Sequence, residues 1–167
     1  PYFYHVRKFS PDVASQMASL LFLGWIIGSP LVGYISEFVE NKRMILMTGA
    51  LLCTIMLGLI IYLPITSLNL LIPAMFLLGL FSSTQIIVFE IATCVIKRSY
   101  SGTAVAVTNM FVMLGGAMQS LIGDLIQKQS TETELFTEVG FQNAFIIMPI
   151  LCILAIFASL VMRDHRA

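Results

Sequence analysis

Apolar residues run almost unbroken through five stretches of this chain, and polar residues gather in the gaps between them. The stretches cover about residues 16–35, 44–63, 69–96, 103–126 and 144–162. Each is near or above the roughly 20 residues that a helix needs to cross a bilayer. Strands of a membrane β-barrel would be about half as long and would alternate in polarity, so the pattern predicts helices. The gaps read "SEFVENKR", "PITS", "KRSYS" and "QKQSTETELFTEVGFQN", with Pro64, Ser67 and Ser101 as breaking or capping residues. Connectors this short make neighbouring helices antiparallel. The expected fold is all-α, a polytopic membrane protein with five transmembrane helices.

Composition excludes the main alternative. Of 167 residues, 58% are hydrophobic and 11% charged, whereas soluble domains carry about 25% charged residues. Nine basic and nine acidic residues balance, which leaves no basic surface for nucleic acid. The expected partner is the lipid bilayer, and no cofactor is indicated. Cys53, Cys94 and Cys152 lie inside apolar runs without CxxC spacing and read as small core residues. The opening "PYFYHVRKF" has no charged-then-apolar leader, and the expectation is that the chain starts within a longer protein.

Charge placement is more informative than net charge. Five crossings put Lys42, Arg43, Lys97, Arg98, Arg163 and Arg166 on one face and Arg7, Lys8 and Lys128 on the other. Basic residues near helix ends are retained on the cytoplasmic side. The first face is therefore expected to be cytoplasmic, and the C-terminus with it, as in an integral protein of the cell (inner) membrane.

The first cytoplasmic connector carries a motif. "GYISEFVENKR" follows "LFLGWIIGSPLVG" and resembles the hairpin signature of the major facilitator superfamily: Gly, three residues, Asp, Arg, any residue, Gly, Arg, then Arg or Lys. Gly33 matches the Gly, Glu37 stands for the Asp, and Lys42 matches the final basic residue with Arg43 beside it. Phe38, Glu40 and Asn41 depart from it. Such a degraded copy is similar to the one in that family's second six-helix half. The third stretch also lacks the Arg expected there in the first half. The resemblance therefore implies helices eight to twelve, a partial six-helix bundle over residues 1–167, with an N-terminal half of the same transporter as partner. In physical terms, Gly33 would let a neighbouring helix approach, Glu37 would offer an acceptor, and Lys42 and Arg43 would anchor the next helix at anionic headgroups.

Polar groups inside the apolar stretches are candidates for a solute or proton pathway, because they must face protein or water. Glu90 lies roughly 9 Å inside the cytoplasmic end of the third stretch, counting about 1.5 Å per residue. It is either a titrating pathway residue or the partner of Lys97 or Arg98. Ser83, Ile87 and Glu90 share a helix face, with Ser82 and Gln85 on the adjacent stripe. Gly102, Asn109, Gly116 and Gly123 recur every seven residues in the fourth stretch, with Gln119 one turn beyond Gly116. That stripe is expected to pack, as is the Gly24/Gly28 pair in the first stretch. Trp25 sits too deep for an interfacial belt and is a further cavity candidate.

These residues, with the resemblance, imply a secondary active transporter. It would work as a symporter or antiporter of a small polar or drug-like solute by alternating access, with proton coupling through Glu90. The chain contains no GxxxxGK[ST] phosphate loop. An embedded enzyme would need clustered His, Asp or Ser, whereas His5 and His165 lie near the chain ends and neither HExxH nor GxSxG occurs. The remaining alternative is a non-transporting assembly or scaffold subunit.

Overall fold

The computed structural model describes residues 2–63, 67–128 and 137–161. Among them the chain is all helical, with five spans long and apolar enough to cross a membrane. The expected Met162 end of the last span, the "PITS" gap at Pro64 and the final basic cluster with Arg163 and Arg166 lie outside the described residues. So do the side chains of Gln119 and Lys128.

A short helix α1 (Tyr2–His5) precedes the first span, α2 (Pro11–Phe38). The span starts five residues before the apolar run because Ser10 caps it: its hydroxyl accepts from Val13 N–H at 3.4 Å, and Pro11 takes the first helical position. Asn41 caps α3 (Lys42–Tyr62) in the same way, accepting from Met44 N–H at 3.2 Å. The third span is interrupted. It runs as α4 (Leu68–Ser82), a 3₁₀ turn (Ser83–Ile86) and α5 (Ile87–Cys94). The cause is local: Ser82, Ser83 and Thr84 donate their hydroxyls to the carbonyls of Gly79, Leu80 and Phe81, at 2.8, 2.7 and 2.9 Å. Such bonds compete with the ladder and tighten it. A second 3₁₀ turn, Arg98–Tyr100, leads into α6 (Ser101–Lys128).

The last connector is shorter than expected. Residues 138–143, read as loop from sequence, belong to α7 (Glu138–Phe145), which Thr137 caps by accepting from Gly140 N–H at 3.1 Å. A turn at Ile146 separates α7 from α8 (Ile147–Val161). Pro149 accounts for the break, since it has no N–H to offer the Phe145 carbonyl and its ring collides with that group.

Packing is closest between α2 and α4. A Cβ on Gly24 would meet the Phe76 carbonyl and lie 2.9 Å from Leu80 N; one on Gly28 would meet the Ser83 hydroxyl; one on Gly79 would meet the Leu21 carbonyl. With lipid on all sides there is little hydrophobic force between helices, and backbone-to-backbone approach supplies the contact instead. Gly49 on α3 does the same for Thr84, so the 3₁₀ turn is gripped from two helices. The core between α2, α3 and α4 is Met17, Cys53, Ile60, Leu71, Ala74, Met75 and Leu78. A second cluster of Tyr2, Ile122, Ile126, Phe141 and Ala144 joins α1, α6 and α7.

The other expected packing glycines behave differently. Gly33, Gly102, Gly116 and Gly123 have open space where a Cβ would stand, and Asn109 is exposed. Among the described residues, the α6 glycines of the stripe therefore meet no neighbouring helix, and neither does Gly33. Cys53 is buried and Cys152 half-buried, but Cys94 is exposed, contrary to its reading as a core residue.

Candidate functional site at the hairpin end

Lys42 and Arg43 occupy the first two positions of α3, where the backbone N–H groups already present partial positive charge. Two cations there are unfavourable unless an anion faces them. Glu90, in the first turn of α5, supplies it: Lys42 Nζ donates to Glu90 Oε1. The second carboxylate oxygen accepts from Ser36 Oγ on α2 at 3.2 Å, a hydroxyl that also reaches the Gly33 carbonyl at 2.7 Å. One carboxylate thus gathers the end of α2, the start of α3 and α5.

This corrects the partner expected for Glu90 and adds contacts that the sequence did not show. Glu90 takes its partner from 48 residues away, not from Lys97 or Arg98, both of which are exposed. The polar group of α2 that takes part is Ser36, while Glu37, the motif acid, is exposed. Arg43 is not turned only to the membrane surface either: its Nη1 donates to the Leu160 carbonyl at 3.3 Å, in the last turn of α8. A cation at a helix C-terminus is favourably placed. The misplaced charge at the start of α3 was a legible signal that an acid must lie nearby; the identity of that acid was not.

The Lys42 and Glu90 side chains are 27% and 38% exposed. Pairs exposed to this degree contribute about 1 kcal/mol or less. That is small against the steric interlock of Gly24, Gly28 and Gly79. The interlock suits a permanent seam, and the ion pair suits a contact that opens and closes.

The described midplane candidates do not converge. Ser83 is fully buried against Gly28, its hydroxyl spent on the Leu80 carbonyl, and Ile87 is buried beside it. Gln85 and Asn109 are exposed and Trp25 is half-buried on α2. An open groove of about 230 Å³ lies between α3 and α8, lined by Met44, Met47, Thr48, Leu51 and Ile156, and none of the described candidates borders it.

Five apolar spans with short connectors define a polytopic integral membrane protein, its basic hairpin tied to an acid on another helix. The chain belongs to the Major Facilitator Superfamily, whose family model matches residues 1–167. Members of that family are transporters and not enzymes. Neither the curated proteins nor the solved structures gave a match.

Proposed function

We propose that this chain is part of a secondary active transporter that moves a small solute by alternating access, and that Ser36, Lys42 and Glu90 form a latch at its hairpin end. The observation that carries the reading is the sharing of the Glu90 carboxylate between α2 and α3. When the latch is closed, the hairpin is fastened to α5; when it opens, α5 is free to part from the ends of α2 and α3. A proton taken up by Glu90 removes the charge that Lys42 holds, so proton coupling would act through the latch.

The spans are proposed to be helices eight to twelve of the transporter. The degraded hairpin motif and the lack of Arg in the third span support this placement. The exposed α6 face with Gly102, Asn109, Gly116 and Gly123 would meet the N-terminal half, and Gln85, Asn109, Gln119 and Trp25 remain candidates for the solute path. The hairpin end would face the cytoplasm in a cell membrane, as would the C-terminus, on the distribution of Lys and Arg.

The test is flux in proteoliposomes carrying the whole transporter. Glu90→Gln should abolish gradient-driven accumulation while exchange between loaded and unloaded vesicles survives. Lys42→Glu with Glu90→Lys should recover part of the flux lost in either single reversal. Accumulation unchanged in Glu90→Gln contradicts the latch. Absence of solute flux in the unaltered protein favours a scaffold subunit.

A further inference from the structure

At the end of the bundle opposite the hairpin, the segment before α2 is built into the fold. Tyr2 is 5% exposed. Its ring meets Phe141 and Phe145 of α7 at centroid distances of 5.6 and 5.8 Å, and its hydroxyl donates to the Ile61 carbonyl of α3 at 3.2 Å. Burial pushes the phenol above its ordinary value, with Arg7 pulling the other way, so the ring keeps the proton that it donates.

Arg7 acts beside it. Its side chain is 7% exposed, and its guanidinium lies 5.3 Å from the Tyr2 ring centroid. Nη2 donates to the carbonyl of Leu63, the C-cap of α3, at 2.8 Å. Nη1 stands 3.7 Å from Glu138 in the first turn of α7. The charges match both helix ends: a cation on the C-terminal carbonyls of α3, an anion at the N-terminus of α7. The chain also accepts strain to make the contact. Lys8 holds φ at 57°, and Phe9 N–H bonds the Phe3 carbonyl at 3.0 Å to close the turn into α2. A lysine in that left-handed region is strained, and the surrounding contacts must offset the strain.

We propose that the Tyr2–Phe9 segment is a clasp that fastens the C-terminal end of α3 to the first turns of α7, with Tyr2 as wedge and Arg7 as tie, so that the two ends open and close together. This device stands apart from the hairpin latch and does not depend on the transport reading. Arg43 bonding Leu160 ties α3 to α8 at the other end, so α3 is fastened to the α7–α8 span at both ends, the clasp being the fastening away from the hairpin.

Amide hydrogen exchange on the full protein tests it. Tyr2→Ala and Arg7→Met should each speed exchange by about tenfold or more at residues 60–62 and at residues 141–145 together, while residues 44–48 near the hairpin keep their protection. Faster exchange confined to residues 2–9, with both helix ends unchanged, would overturn the proposal. If the truncations loosen the whole bundle, Tyr2→Phe and Arg7→Lys decide. These keep most of the volume and should give a smaller rise at the same two patches, and no rise at either contradicts the clasp.

Discussion

A glycine in a membrane helix can be a contact or merely a small residue, and the two kinds lie side by side in this chain. Gly24, Gly28 and Gly79 stand where a methyl group would strike the backbone or a buried hydroxyl of the facing helix, whereas Gly33 and Gly116 face open space. Gly24→Ala and Gly79→Ala should therefore destabilise the detergent-solubilised protein by about 1–3 kcal/mol, the usual cost of overpacking. Gly33→Ala should change the melting temperature little. Equal losses at Gly33 and Gly24 would mean that the α2–α4 seam is not where the helices meet most closely. Sequence spacing found the Gly24/Gly28 pair but could not tell it from the α6 stripe, because a GxxxG or heptad pattern gives a face and not its partner. For the same reason it missed Gly49 and Gly79, whose partners, Thr84 and the Leu21 carbonyl, lie far along the chain.

Helices were legible from hydropathy, and their ends less so. The apolar count stops where polar residues begin, so it left out the capped first turn of α2 and residues 138–143 of α7, although Ser10 with Pro11 and Thr137 with Glu138 are ordinary start signals. Interruptions were harder to see: the 3₁₀ turn comes from three consecutive hydroxyls bonding backward, and the Ile146 turn from a proline three residues on. Thr137→Ala removes the acceptor for Gly140 N–H and should cost about 1 kcal/mol. Because α7 carries Glu138, Phe141 and Phe145, that loss should appear as faster proteolysis near residue 137. Unchanged proteolysis would mean that the aromatic cluster holds α7 without its cap.

For the whole molecule, the fold class was readable because a bilayer imposes long apolar helices and gathers charge near their ends, and the family through the resemblance of the Gly33–Arg43 hairpin to that family's signature. What joins those ends was not readable, since Lys42 and Glu90, or Arg7 and Leu63, meet only once the helices are packed. The chain is a bundle with a static glycine seam between α2 and α4 and charged fastenings at either end, of which the hairpin latch is the one proposed to work during transport. Spin labels at Val39→Cys on the hairpin and Ile96→Cys beyond α5, in the whole transporter lacking its native cysteines, report that latch as a distance distribution. The account predicts one short distance with Lys42 and Glu90 intact, an added longer population in Glu90→Gln, and return of the short distance when Lys42→Glu is combined with Glu90→Lys. A distribution that Glu90→Gln leaves unchanged would contradict it.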